Sequence, residues 1–205
     1  MRADAEANLE RIIDAARSTF ARDGLQVSIE VVAENAGVGL GTIYRRFENK
    51  EALVLELVRR LLGEVIAIAQ HHERDPVGRG LFGYFDEVGR VLQANRGTLS
   101  RIWSSPATTE LVAASRLSQT RLVTAAIDAG TVRPDLTPED VAIALWSIAG
   151  VIDVAGVDDS IAWKRHTAFL LAGFTNLTAE VKSRPLRSRE LEDIIRESPS
   201  PSTER

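Results

Sequence analysis

The sequence predicts an all-α protein with a small N-terminal three-helix head and a larger helical body. Apolar residues recur at three- and four-residue spacing in nearly every segment, and no stretch alternates with the period of two that a half-buried strand requires. Glycine, Asp-Pro and Thr-Pro breaks separate the apolar runs. At 205 residues and 44% apolar composition, the chain can bury a substantial core.

Each element follows in order. Leu9, Ile12, Ile13, Ala16 and Phe20 share one helical face, and Gly24 ends that run as a C′ residue. Ser28 is placed to cap a short helix with Ile29, Val32, Ala33 and Ala36 on its inner side. Gly37-Val38-Gly39 breaks it, because glycines permit a tight left-handed turn. A third helix is predicted over 40–47. Asn49 then caps a long one to about residue 69, built on Leu53, Leu57, Leu61, Val65 and Ile68. Asp75-Pro76 marks a boundary, beyond which helices are predicted over about 77–95, 98–104, 107–129, 138–156 and 160–179. Thr137-Pro138-Glu139-Asp140 is a helix start, with a cap hydroxyl, proline in the first turn and acids at the positive end of the dipole. The expected organisation is a head over 1–52, a body over 53–197 and a disordered tail over 198–205, whose Ser-Pro repeats have nothing to pack.

Composition removes several classes of function. With no cysteine there is no disulfide, thiolate metal site or cysteine nucleophile. No apolar run reaches the roughly 18 residues of a membrane span, and Met1-Arg2-Ala3-Asp4-Ala5-Glu6 lacks the layout of a secretory signal, so a soluble cytoplasmic protein is expected. The net charge of −4 argues against coating nucleic acid through bulk charge, but not against a local binding face. The three histidines are His71, His72 and His166, and no phosphate-cradling glycine loop or Gly-x-Ser-x-Gly elbow occurs. Adjacent histidines on a helix point in different directions, so His71-His72-Glu73 does not suggest a metal site. No cofactor is indicated, and an enzyme is not expected.

The first 50 residues carry the information. Three short helices with a Gly-x-Gly break between the second and third have the layout of a helix-turn-helix. A helix over 40–47 would be roughly 12 Å long, about the width of the B-DNA major groove. Ile43 and Phe47, at i and i+4, would anchor it inward. Gly41, Thr42, Arg45 and Arg46 would then lie on or near the outer side, with Tyr44 at an edge. A small residue allows close approach to base edges, and hydroxyl, phenol and guanidinium groups supply donors. Lys50 begins the next helix, where the dipole disfavours a cation unless an anion such as a phosphate meets both the ammonium and the free N–H groups.

The run Ala33-Glu34-Asn35-Ala36-Gly37-Val38-Gly39-Leu40-Gly41-Thr42-Ile43-Tyr44-Arg45-Arg46-Phe47-Glu48-Asn49-Lys50-Glu51-Ala52-Leu53 resembles the DNA-binding signature of the tetracycline-repressor-like (TetR) transcription regulators. The resemblance covers about residues 9–55, including the stretch from Ala16 to Gly24. It implies a homodimeric, ligand-responsive repressor that binds a palindromic double-stranded operator through two heads. It also implies C-terminal helices that form the ligand pocket and the dimer interface, the latter through the last two long helices. Carried over by position, Ser28, Tyr44 and Lys50 would contact phosphates, while Gly41, Thr42 and Arg45 would lie nearest the bases. Arg46 stands where the family often has histidine and could add a phosphate contact. The arm Arg2-Ala3-Asp4-Ala5-Glu6 is acidic where the family is often basic.

Residues 1–60 hold 9 Arg and Lys against 10 Asp and Glu, so any DNA-binding cations must be gathered on one face. That neutral head leaves a second reading open, a helical adaptor of the same fold acting through a protein partner with little DNA binding. In the body, Phe82, Phe85, Trp103 and Trp146 either pack the core or wall a site for a small, largely apolar effector. Ala142, Ala149 and Gly150, then Ala168, Ala172 and Gly173, are small enough for close helix approach, within the chain or between two copies.

Overall fold

A computed structural model describes residues 2–75, 77–102, 106–156, 160–178 and 180–197. Among these the regular structure is entirely helical: α1 (Arg2–Asp23), α2 (Ile29–Ala36), α3 (Leu40–Tyr44), α4 (Lys50–His72), α5 (Gly80–Ala94), α6 (Thr109–Asp128), α7 (Pro138–Ala155), α8 (Ser160–Thr175) and α9 (Ser188–Glu197). Two 3-10 segments, Arg96–Arg101 and Pro106–Thr108, join α5 to α6.

The buried side chains form two clusters. The head cluster gathers Ile12, Ala16 and Phe20 of α1, Val32 of α2, and Ile43 and Phe47 of the α3 region around Leu53, Val54 and Leu57. The body cluster begins one residue later on the same helix, with Val58, Leu61, Leu62 and Val65 of α4 packed on α5, α6, α7 and Trp163 of α8. Thus α4 belongs to both cores and runs unbroken between them.

Local chemistry explains the element ends. Gly37 takes φ 61°, the left-handed cap that glycine favours, and its N–H bonds the Glu34 carbonyl at 3.0 Å. Gly39 is extended at φ −69°, so one glycine of the pair supplies the left-handed turn. The Asn49 side chain accepts the Ala52 N–H at 2.8 Å and starts α4. At α7 the capping box is complete: the Thr137 hydroxyl accepts the Asp140 N–H at 3.2 Å, and the Asp140 carboxylate accepts the Thr137 N–H at 2.9 Å.

Several expectations need correction. The third helix is five residues, ending at Tyr44 rather than 47. Beyond it, Arg46 N–H turns to the Ile43 carbonyl at 2.9 Å, tightening the chain so that Phe47 is buried while Asn49 becomes extended to cap α4. Ser28 occupies the N-cap position of α2 but makes no capping bond; its hydroxyl instead bonds the Glu30 carboxylate and helps lower that group's pKa. The segment expected as a helix over 98–104 is 3-10 over Arg96–Arg101. The helix α9 has no counterpart among the predicted segments; it docks by burying Leu191. The expected tail over 198–205 lies outside the described residues.

Candidate functional site

The outward face of α3 is built from its inward one. Ile43 is fully buried, and at about 100° per residue Gly41 and Arg45 then point most directly away from the core, with Thr42 and Tyr44 flanking them. Exposure agrees: Gly41, Tyr44, Arg45 and Arg46 are exposed and Thr42 is half-buried. A Cβ added at Gly41 would meet open space, so the lack of a side chain there serves no packing within this chain. Arg45 donates from Nη2 to Thr42 Oγ1 at 3.0 Å, which orients the guanidinium along the helix.

The charges of the head are arranged unevenly. Arg17 pairs with Glu64 at 2.9 Å, Arg22 with Asp23 at 2.6 Å, and Arg60 with Glu10 and Glu56 at 2.7 and 3.0 Å. The hydrogen bonds that Arg60 donates to Glu10 and Glu56 hold its guanidinium well above its usual range, and Arg60 in turn lowers Glu10. Arg45 and Arg46 form no ion pair among the described residues. A head that is neutral by count therefore presents two uncompensated guanidinium groups at the end of α3.

Ser28 is exposed at the start of α2. Lys50 is not gathered with the α3 groups. Its ammonium donates to the Leu25 carbonyl and lies 5.8 Å from the centre of the Phe20 ring, and partial burial lowers its pKa. In this arrangement it ties α4 to the connection after α1, and it must leave Leu25 to meet a phosphate.

A cavity of about 60 Å³ lies within the body. Leu61, Leu62 and Val65 of α4, Val88 and Leu92 of α5, and Leu99 and Ile102 at the 3-10 segment give it aliphatic walls. Ser115, Arg116 and Gln119 of α6 and Trp146 of α7 complete it. Of the four aromatic residues expected to wall such a site, Trp146 does so. Phe85 does not line it: one turn nearer the start of α5, it is fully buried against Tyr84 and Phe174, with ring centres 5.9 and 6.0 Å away. Phe82 is partly buried at the flank of the same core and also stands off the cavity. Trp103 lies outside the described residues. Ser115, Gln119 and Tyr84 escape a reading by apolar periodicity. Their signal was nonetheless present, since positions 115 and 119 continue the buried face of Leu122 and Ala126.

The small residues also divide. Ala142 and Ala149 line the cavity, whereas Gly150, Ala168, Ala172 and Gly173 are exposed. Around the exposed ones, apolar side chains face solvent: Ile143 and Val154 (90% exposed) on α7, Ile161 and Phe169 on α8. Positions 143, 147, 150 and 154, and likewise 161, 165, 168 and 172, repeat at four-three-four spacing, the pattern of a helix-packing seam.

One contact joins the cavity wall to the head. A Cβ at Gly97, in the 3-10 segment that carries Leu99, would collide with the Phe20 carbonyl group of α1 and stand 3.0 Å from the Ala21 nitrogen. Backbone therefore meets backbone there, and neither side has slack.

No group of three or more His, Cys, Asp or Glu that could hold a metal occurs among the described residues. His72 lies with Nε2 3.2 Å from Glu87, its ring in the space left by Gly83. No helix among the described residues is long and apolar enough to cross a membrane.

Comparison with known proteins bears on the same elements. The family profile described as bacterial regulatory proteins, tetR family, matches residues 12–57, from α1 into α4. Helix-turn-helix-type transcriptional regulators of Staphylococcus aureus are 36% identical over 61 residues, 29% of this chain and 33% of theirs. The chain thus spans about a third of the length of those curated relatives. Similarity to solved structures is more extensive. A TetR transcription regulatory protein from Mycobacterium vanbaalenii is 31% identical, with a TM-score of 0.56, over 76% of this chain and 98% of that one. A TetR transcriptional regulator from Streptomyces coelicolor is 25% identical, with a TM-score of 0.62, over 81% of this chain and 97% of that one.

Proposed function

The chain belongs to the TetR family of DNA-binding bacterial transcriptional regulators, and on that basis we propose that it is a homodimeric, ligand-responsive repressor of a palindromic operator. The observation that carries the reading is the pair of unneutralised guanidinium groups, Arg45 and Arg46, beside the open Gly41 position on α3. In an otherwise charge-balanced head, such a face suits a groove rimmed by phosphates. Gly41 and Thr42 approach the base edges, Arg45 donates to them, and Ser28, Tyr44 and Arg46 fix the register on the backbone. Lys50 joins them by exchanging the Leu25 carbonyl for a phosphate.

Two copies associate through the α7–α8 seam of Ile143, Gly150 and Val154 with Ile161, Ala168, Phe169 and Ala172. A two-fold axis there sets the two α3 helices for successive major grooves, roughly 34–36 Å apart. The body cavity is the effector site. At about 60 Å³ it is far smaller than the roughly 300–1,000 Å³ of ordinary ligand pockets, so an occupant displaces its walls. Leu99 and Ile102 belong to those walls, and a shift there is delivered through Gly97 to the α1 backbone. The ligand releases DNA only to the extent that it binds the displaced state more tightly than the DNA-bound one.

A nuclease footprint on the DNA upstream of the protein's own coding sequence tests the reading. A protected palindrome is expected; no protected site even at low salt would overturn it and favour the adaptor.

A further inference from the structure

The cavity in the body is chemically uneven. Its walls are aliphatic except where α6 and α7 contribute Ser115, Arg116, Gln119 and Trp146. Gln119 is only 5% exposed. Its Nε2 donates to the Tyr84 hydroxyl at 3.0 Å and lies 3.4 Å from Ser115 Oγ. Full burial raises the pKa of the Tyr84 phenol, so it stays protonated. The amide N–H groups are therefore committed to the Tyr84 and Ser115 oxygens. What remains is Gln119 Oε1, which is buried and has no hydrogen-bond partner among the described residues. An amide oxygen in that state keeps its full desolvation penalty until a donor reaches it.

The charges around the cavity limit what that donor can belong to. No aspartate or glutamate lines it among the described residues, so a buried cation would have no counter-charge. Arg116 is already held by Glu192 of α9 at 3.5 Å, so an anion would have to displace that pairing.

We propose that the effector is a small, uncharged, largely apolar molecule with one hydroxyl or N–H group, which it donates to Gln119 Oε1 while its apolar part packs on Leu61, Val88, Leu92 and Trp146. This rests on the effector reading of the same cavity given above. Gln119 selects the class of ligand, and the aliphatic walls supply most of the binding.

Phenol and toluene have nearly the same shape and differ in the donor, which makes them suitable probes. Binding of each to the full-length protein is followed by the Trp146 indole N–H resonance, assigned by its loss in Trp146→Phe. Transfer out of water favours toluene, so the expected result is the reverse order, with phenol binding more tightly. Gln119→Met keeps the volume and removes the acceptor. It should restore the toluene preference, changing the ratio of dissociation constants by about tenfold. Toluene binding the wild-type protein more tightly, or an unchanged ratio in Gln119→Met, would overturn the donor assignment and leave the effector cavity standing. If neither probe moves the Trp146 resonance up to its solubility, the donor assignment and the effector reading fall together. Should Gln119→Met not fold, the order of the two probes in the wild-type protein decides.

Discussion

Replacing Gly97 with alanine tests the contact between cavity and head most directly. The added methyl would lie well inside contact distance of the Phe20 carbonyl oxygen and carbon, and 3.0 Å from Ala21 N. A carbon–oxygen contact needs about 3.3 Å, so the two backbones must part by on the order of 1 Å. The Phe20 carbonyl is not free to yield, because it accepts the Gly24 N–H at 3.0 Å and so closes the last turn of α1. Overpacking of this kind costs about 1–3 kcal/mol. For a chain of 205 residues that corresponds to a midpoint roughly 3–10 °C lower in thermal unfolding. The separation also alters the seating of the head on the body. Gly97→Ala should therefore weaken operator binding beyond what its stability loss explains, at temperatures where both proteins are fully folded. Thermal denaturation by circular dichroism and operator titration by fluorescence anisotropy give the two numbers. A variant with an unchanged midpoint and unchanged affinity would show that the two backbones separate without cost, and the proposed route from cavity to head would be lost.

Other consequences concern single residues. Arg46→Ala removes one phosphate contact per head, so the slope of log affinity against log salt should become shallower by about 1.8 for the dimer; an unchanged slope would mean Arg46 touches no phosphate. Ala168→Arg places a cation in the centre of the α7–α8 seam without disturbing either core, and sedimentation should show monomers whose circular dichroism is unaltered; a persisting dimer would move the interface elsewhere. Bonds from Arg184 and from the Arg187 N–H hold Glu190 at about 2 against an ordinary 4.5. Because the folded value is the lower one, this anchoring of α9 is complete above about 4.5 and is lost as pH falls toward 2. Arg184→Ala should raise the titration midpoint of the Glu190 carboxyl seen by carbon NMR, and a midpoint that stays put would assign the depression to the backbone bond.

Much of the fold was legible because helical periodicity is a local property. Leu53, Leu57, Leu61 and Val65 trace α4 without reference to any neighbour, and Thr137 with Asp140 marks the start of α7 by a cap that needs only four residues. Errors arise where a partner decides. The end of α3 is set by the need to bury Phe47 and extend Asn49, and α9 is held by the burial of Leu191, which its charged sequence does not advertise. With Ile43 and Phe47 inward, the sequence places Gly41, Thr42, Arg45 and Arg46 on or near the outer side with Tyr44 at an edge; in the structure Thr42 is half-buried and Tyr44 is exposed. The turn of Lys50 toward Leu25 could not be placed from sequence, because it depends on where the connection after α1 passes. Phe85 and Trp146 are equally apolar in sequence; the approach of Phe174 buries the former away from the cavity.

The helix shared by both cores has 23 residues, which makes it about 34 Å long. It works as a lever whose far end amplifies what its near end feels. A tilt of about 5° where Leu61 and Val65 meet the cavity would carry Lys50, roughly 16–22 Å away along the helix, sideways by about 1.5–2 Å. In the proposed repressor, small rearrangements around an effector would thereby be carried along α4 toward the head, and the chemistry of the effector would be insulated from that of the sequence read. Substitutions in the cavity can retune the former while the face of α3 stays as it is.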